Sequence, residues 1–146
     1  MKLRSFFLVT GLILSLGACQ NTKKPTSGNG NFGASGSSAG LKSVYFDFDK
    51  ALIRDDQASV IQSNADAIKS NSSWRVTLEG NCDERGTNEY NIALGDKRAR
   101  VIHDYLVNLG VDPARLNVMS FGEEKPVCSE HDESCWWQNR RADFRR

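Results

Sequence analysis

The chain lacks most of the features that common enzyme and nucleic-acid-binding classes require. Only two of its 146 residues are histidines, His103 and His131, and no Ser-His-Asp arrangement accompanies them. The formal net charge is +1, so there is no electrostatic case for binding nucleic acid. The glycine-rich stretch NFGASGSSAG has neither the lysine nor the preceding strand of a phosphate-binding loop. These absences argue against nucleophilic catalysis, nucleic-acid binding and phosphate-loop chemistry.

Apolar runs are short in this sequence. The segment from Phe6 to Leu16 is too short to span a bilayer, and it follows the basic residues Lys2 and Arg4. A charged start followed by a short apolar run is typical of a secretory signal peptide. Residues 1–18 are therefore predicted to be a signal peptide.

The signal peptide ends in Leu16-Gly17-Ala18-Cys19, which resembles a bacterial lipobox. The resemblance implies cleavage before Cys19 and attachment of lipid to that residue. Gln20 stands where inner-membrane retention would need Asp, so the outer membrane is the expected location. Two or more acyl chains anchor a protein stably, whereas one anchors it only marginally. A plain secretory signal with an incidental cysteine is the alternative.

Residues 19–40 are predicted to be the lipidated Cys19 and a flexible linker. From Gln20 to Gly40, 14 of 21 residues are Gly, Ser, Asn or Thr, and Phe32 is the only large hydrophobe. Such a segment cannot bury enough apolar surface to fold. As a flexible coil it would span about 25 Å, and fully stretched about 70 Å, so it would tether a domain at residues 41–146.

Three cysteines remain for the domain. Cys128 and Cys135 flank a short loop, and an exported protein favours a disulfide between them. A structural zinc site usually has two close pairs of ligands, which Cys128, His131 and Cys135 do not provide, so no metal site is predicted. Cys82 is left over, either as a buried thiol or with a redox or intermolecular role.

Hydrophobic periodicity predicts strands that alternate with helices. Strands are predicted at 44–48, 74–80, 116–121 and 141–144, helices at 55–70 and 88–109, and a short helical turn at 135–139. Phe48 is expected to face inward, Asp55 or Asp56 to cap the first helix, Thr87 to cap the second, and Gly110 to end it. This order predicts an α+β fold, a two-layer sandwich of one mixed sheet with helices on one face.

The segment from Gly80 to Ala99 carries the candidate site. It places Asp83 in a glycine-rich turn after a predicted strand, and Arg98 follows 15 residues later in a predicted helix. A guanidinium grips a carboxylate through two parallel hydrogen bonds, and a carboxylate accepts from an ammonium. The pair therefore suits a zwitterion such as a free amino-acid end. An ordinary salt bridge between turn and helix is the alternative.

The same segment resembles the peptidoglycan-binding signature of the family related to the C-terminal domain of outer membrane protein A. Three further stretches fit, namely VYFDFDK at 44–50, SFGEEKP at 120–126 and NRRAD at 139–143. The resemblance implies the fold of this family and a site for the diaminopimelate of a peptidoglycan stem peptide. By motif position, Asp83 and Arg98 would hold that group, with Asp49, Asn91 and Leu94 in the same pocket. Cys82 departs from the small residue that is usual before the key Asp.

The resemblance also implies a function and partners. It points to an outer-membrane tether that is not an enzyme and has no cofactor, with peptidoglycan and a periplasmic TolB-like protein of the Tol system as partners. The alternative is a peptidoglycan-remodelling hydrolase that uses Asp49 and Asp83. A nearby arginine lowers a carboxylate pKa, however, which disfavours a general acid. For Asp49 the alternative is a solvated acid that closes a turn.

Overall fold

The computed structural model describes residues 40–146. The predicted signal peptide, Cys19 and the predicted linker up to residue 39 lie outside the described residues. The order of elements is β1 (Val44–Tyr45), α1 (Ala58–Ser70), β2 (Val76–Asn81), α2 (Asn88–Asn108), β3 (Leu116–Gly122), α3 (Glu133–Asn139) and β4 (Arg141–Arg145). Two short 3₁₀ turns, Asp55–Gln57 and Pro113–Arg115, precede α1 and β3.

The strands form one mixed sheet in the order β1-β4-β2-β3. β2 and β3 are parallel, as expected for two strands joined by a helix, and β4 runs antiparallel between β1 and β2. The last strand of the chain therefore lies inside the sheet. It stands beside β2, the strand that leads into the candidate site.

The core lies between the sheet and the two longer helices. Fully buried side chains of α1 and α2 form one apolar cluster with side chains from the sheet, including Ile61, Ile68, Ile102, Leu106, Val76, Leu78 and Phe144. Full burial of such a side chain contributes roughly 1.5–3 kcal/mol, so this cluster is a major source of stability. The predicted α+β sandwich is confirmed. Within residues 40–146, no helix combines the length and apolarity that crossing a bilayer requires.

The ends of α2 follow the prediction, whereas the start of α1 does not. Thr87 caps α2, with its side-chain oxygen accepting from the Tyr90 N–H at 3.2 Å. Gly110 stands just past the end of α2 with φ of +86°, which glycine adopts at little cost. The prediction that Asp55 or Asp56 caps the first helix is wrong, because both lie in the 3₁₀ turn and the N-cap of α1 makes no side-chain hydrogen bond.

The first strand is shorter than predicted, and the expectation that Phe48 faces inward is wrong. The Phe46 N–H still donates to the Arg140 carbonyl at 2.9 Å, but Phe48 is 51% exposed. Asp49 has φ of +56°, a left-handed conformation that ends an extended run. Carbonyl groups beyond the strand accept hydrogen bonds from arginine side chains instead of from a neighbouring strand.

A close approach of β2 and α2 depends on two glycines. A Cβ on Gly95 would lie 2.3 Å from Ser120 Oγ and 2.8 Å from the Gly80 carbonyl oxygen. These distances are too short for any side chain, so only glycine permits this spacing. Arg98 lies about one helical turn beyond Gly95. The close approach therefore brings the Arg98 guanidinium within hydrogen-bonding distance of the end of β2.

Candidate ligand-binding site

The loop after β1, the end of β2 and the first turns of α2 enclose a cavity of about 230 Å³. The five residues predicted to contact a ligand all line it, namely Asp49, Asp83, Asn91, Leu94 and Arg98. Four more side chains that line it were not predicted as contacts, namely Phe48, Cys82, Arg85 and Tyr90. The fold thus brings distant parts of the chain to one cavity.

Arg98 is fully buried, and its guanidinium is bonded mainly to backbone carbonyls. Nε donates to the Lys50 carbonyl at 2.8 Å, and Nη2 donates to the Asp47 carbonyl at 3.1 Å. Nη1 donates to the Asn81 carbonyl at 2.8 Å and to Cys82 Sγ at 3.3 Å. Burial lowers the pKa of Arg98 below its ordinary value, but an arginine in a protein remains charged.

These contacts change the role expected of Arg98. They use four of the five N–H groups of its guanidinium. A two-pronged grip on a ligand carboxylate would therefore require breaking a bond to the protein. One N–H on Nη2 and the positive charge are left for a ligand. Arg98 acts first as a clamp between the loop after β1 and the end of β2.

Asp83 is also buried, and both oxygens of its carboxylate are engaged. Oδ1 accepts from the backbone N–H and from Nε of Arg85, each at 3.1 Å. Oδ2 accepts from Arg85 Nη2 at 2.7 Å and from Arg140 Nη1 at 3.3 Å. Burial alone would raise the pKa of Asp83, but the hydrogen bonds from Arg85 and Arg140 outweigh it, so the pKa is lowered. The carboxylate is therefore ionised at neutral pH.

Asp83 and Arg98 face the same cavity without pairing with each other. Asp83 pairs with Arg85 and Arg140, whereas Arg98 is bonded to backbone carbonyls and a thiol. The negative charge of Asp83 still opposes the effect of burial on the Arg98 pKa. The ordinary salt bridge between turn and helix is thus not formed, and both charged side chains line the cavity.

Arg85 has a central position that its place in the sequence did not indicate. Its guanidinium lies between two aromatic rings, 3.8 Å from the centre of the Phe48 ring and 4.1 Å from that of Trp136. The adjacent Glu84 accepts from Trp136 Nε1 at 2.9 Å and also contacts His131 Nδ1. The turn that carries Asp83 is thereby fastened to α3 and to the loop before it.

Asp49 lies at the mouth of the cavity on a backbone turn. It accepts a hydrogen bond from the Tyr90 hydroxyl, and this bond raises the pKa of Tyr90. A non-glycine residue with a left-handed backbone costs free energy and is often found at binding sites. Asp49 therefore closes a turn and also lines the cavity, so the two interpretations of this residue are compatible.

Asn91 and Leu94 support the cavity from α2. Asn91 Nδ2 donates to the backbone carbonyls of Asp83 at 3.3 Å and Arg85 at 3.2 Å, and also to the Glu123 carboxylate. Asn91 therefore holds the turn that carries Asp83. Leu94 supplies an apolar wall beside it.

The NRRAD stretch supports the site from β4 and the end of α3. Arg140 donates from Nε to the Phe46 carbonyl at 3.2 Å, in addition to its bond with Asp83. Asn139 Oδ1 accepts from the backbone N–H groups of Val127 and Cys128 and so holds the loop before α3. The resemblance of NRRAD to the family pattern indicated that this stretch contributes to the site. Spacing along the chain gave no indication that Arg140 reaches Asp83.

The cysteines of the domain have different states. Cys128 and Cys135 form a disulfide with their Cα atoms 5.1 Å apart. Cys82 is a buried free thiol, and burial raises its pKa to about 11. A thiol with such a pKa is protonated at neutral pH and therefore unreactive. Cys82 serves as part of the cavity wall and as an acceptor for Arg98.

The protonation state of Asp83 bears on the alternative that the protein is a hydrolase. A glycosidase that uses two carboxyl groups needs one of them protonated in order to donate to the leaving group. The lowered pKa of Asp83 leaves it without that proton at neutral pH. This carboxylate is suited to hold a cation rather than to act as a general acid.

Comparison with known proteins agrees with this fold. Residues 45–140 match the model of the OmpA family. The chain is 42% identical over 142 residues to the peptidoglycan-associated lipoprotein of Haemophilus influenzae, and the match covers 92% of each chain. It is 38% identical over 144 residues to the peptidoglycan-associated lipoprotein of Pasteurella multocida, covering 97% of this chain and 96% of the relative.

A solved structure gives the same result. The crystal structure of the peptidoglycan-associated lipoprotein from Burkholderia pseudomallei superimposes with a TM-score of 0.68 at 48% identity, covering 70% of this chain and 86% of that chain. The chain therefore belongs to the OmpA family and, within it, to the family of peptidoglycan-associated lipoproteins (Pal).

The clamp role of Arg98 predicts that Arg98→Lys destabilises the domain. A lysine ammonium cannot bond at once to the carbonyls of the loop after β1 and to the carbonyl at the end of β2. Each buried carbonyl left unpaired costs about 1–3 kcal/mol. We expect the free energy of unfolding in urea to fall by about 3 kcal/mol. Arg100→Lys is the matched control, because Arg100 lies on the exposed side of the same helix and pairs with Asp96. Equal stability of the two variants would contradict the clamp role.

Proposed function

We propose that this protein is an outer-membrane lipoprotein that binds peptidoglycan without catalysing a reaction. The domain at residues 41–146 would hold the diaminopimelate side group of uncrosslinked stem peptides. Relatives that are peptidoglycan-associated lipoproteins, at 42% and 38% identity over nearly the whole chain, support this proposal. The chemistry of the cavity supports it independently.

The balance of charge in the cavity is the observation that carries the proposal. Two carboxylates, Asp49 and Asp83, and two guanidiniums, Arg85 and Arg98, line its walls. Equal numbers of both signs suit a ligand that carries an ammonium and a carboxylate but no net charge. A phosphate would face two carboxylates and a simple cation would face two guanidiniums, so both fit less well. The apolar wall at Leu94 suits the methylene groups between the charged ends of diaminopimelate.

The residues of the cavity have distinct roles in this proposal. The ionised carboxylate of Asp83 accepts hydrogen bonds from the ligand ammonium, and Asp49 adds negative charge at the mouth. Arg98 attracts the ligand carboxylate through its charge and its remaining N–H. Because Arg98 and Asp83 are held by buried contacts, little conformational entropy is lost when a ligand binds.

Asp83→Asn tests the site directly. The substitution keeps the shape of the side chain but removes the charge, and a hydrogen bond to a charged group contributes about 1.5–3 kcal/mol. We expect affinity for purified sacculi to fall at least about tenfold. The measurement is co-sedimentation of the soluble Cys19→Ser form of the full chain with labelled sacculi. A soluble stem peptide that contains diaminopimelate should compete.

The same assay contains its control and a second measurement. Asp104→Asn removes one negative charge from an exposed part of α2 and should bind as the parent does. Because the pKa of Asp83 is below its ordinary value of about 3.9, Asp83 stays ionised as the pH falls from 7 to 5, and binding should persist over that range. Full binding by Asp83→Asn would refute the site, and release of soluble fragments from sacculi would favour the hydrolase.

Lipid on Cys19 would hold the protein to the outer membrane. The lipobox-like sequence and the names of the relatives support this assignment, and the linker would let the domain reach the cell wall. We expect Cys19→Ser to move the protein from the membrane fraction to the soluble periplasmic fraction. Gln20→Asp should instead shift it to the inner membrane on a density gradient. A Cys19→Ser protein that stays with the outer membrane in cells whose peptidoglycan has been digested would contradict lipid anchoring.

A TolB-like periplasmic protein is the second proposed partner, as a member of the Tol system that constricts the outer membrane during division. Phe48 and Tyr90 line the cavity and are about half exposed, and Leu52 nearby in sequence is also exposed. A protein that covers these side chains would block the cavity, so the two partners would exclude each other. Addition of purified TolB should release the soluble form of the chain from sacculi. Simultaneous binding of TolB and sacculi would contradict this competition.

A further inference from the structure

We propose that Arg85 occupies the ammonium position of the cavity when no ligand is bound, and that a ligand must displace it. This proposal rests on the proposed function, since it concerns how the same site admits an ammonium. Arg85 would then be a specificity-determining residue, because it sets which ligands enter and lowers the affinity of those that do.

The first reason is that Asp83 has no acceptor position to spare. A carboxylate has two oxygens and about four lone-pair positions. Four hydrogen bonds reach Asp83, three from Arg85 and one from Arg140. Two of those from Arg85 come from its guanidinium, at 3.1 and 2.7 Å. An incoming ammonium can bond to Asp83 only after one of the two arginine side chains has withdrawn.

The second reason is that Arg85 is the side chain able to move. The Arg140 side chain is 8% exposed and is also bonded to the Phe46 carbonyl and to Glu133. The Arg85 side chain is 30% exposed and lines the cavity itself. It is held on its two faces by Phe48 and Trp136, and contacts with ring faces are less directional than hydrogen bonds. Displacement of Arg85 therefore disturbs fewer buried contacts.

The third reason is that a second carboxylate is available to the displaced guanidinium. Glu133 Oε2 lies 3.6 Å from Arg85 Nη2. Glu133 stands in the first turn of α3 and its side chain is 60% exposed. Arg85 can thus exchange Asp83 for Glu133 with a small movement and keep a charged partner.

The exchange determines which ligands bind. A ligand group must carry a positive charge to replace a guanidinium at an ionised, buried carboxylate, since a neutral group would leave that charge poorly compensated. A stem peptide whose diaminopimelate side-chain amine is acetylated should therefore not displace Arg85. Suppose that Arg85 is withdrawn from Asp83 in about a tenth of the molecules. The apparent affinity of the protein for a peptide with a free amine is then about tenfold below its intrinsic affinity.

The test uses the full chain in its soluble Cys19→Ser form and a soluble tripeptide that ends in diaminopimelate. Calorimetric titration should show Arg85→Met binding this peptide about tenfold more tightly than the parent. Arg100→Met, which removes an exposed guanidinium from α2, should bind as the parent does. The acetylated peptide should bind to neither the parent nor Arg85→Met.

Each outcome is decisive. Unchanged or weaker binding by a folded Arg85→Met overturns the proposal while leaving peptidoglycan binding intact. Failure of the parent to bind the peptide at all overturns the proposed function together with this inference. If Arg85→Met does not fold, the Nε–H signal of Arg85 in the ¹⁵N-labelled parent decides. It should shift on addition of the peptide while that of Arg140 stays, and a stationary Arg85 signal overturns the proposal.

Discussion

The buried guanidinium of Arg98 is the contact on which the cavity depends. It ties the carbonyls of Asp47 and Lys50, in the loop after β1, to the carbonyl of Asn81 at the end of β2. A buried charge is costly unless every nearby partner is in place, so these segments are held together strongly. The glycine contact between β2 and α2 sets the depth at which this guanidinium lies. β1 also ends early for this reason, because arginine side chains, and not a neighbouring strand, donate to the carbonyls that follow it.

Three arginines have different structural roles at the site. Arg98 joins the walls, Arg140 holds Asp83 from the side of β4, and Arg85 covers Asp83 from the side of the cavity. Asp83 is consequently kept ionised although it is buried, because hydrogen bonds from arginine outweigh the cost of burial. The environment of this one carboxylate favours binding of a cation over donation of a proton.

The segment around α3 adds support to the site from outside the stretch Gly80 to Ala99. The disulfide between Cys128 and Cys135 closes the loop that leads into α3, and Trp136 from that helix packs on Arg85. Trp136 and His131 also reach Glu84, next to Asp83. A loop distant from Asp83 in sequence therefore helps to set the position of the turn that carries this acid.

Much of this protein could be predicted from its sequence because the signals were local. Alternating apolar residues in β2 and β3, helical spacing in α1 and α2, and the cap at Thr87 each depend on neighbours a few residues away. The grouping of Asp49, Asp83, Asn91, Leu94 and Arg98 came instead from the resemblance to the family, and all five line one cavity.

The partners of those residues were decided only by the tertiary structure. Phe48 continues the alternation of β1 but lies outside the sheet, because Arg98 and Arg140 draw the chain away from strand pairing. Whether Asp83 meets Arg98, Arg85 or Arg140 depends on how β4 inserts beside β2 and how closely α2 approaches the sheet. The sequence alone determined the fold class and the chemical types at the site, since these follow from local pattern. The pairing of charges followed from long-range packing, because a carboxylate bonds to whichever donors the fold places around it.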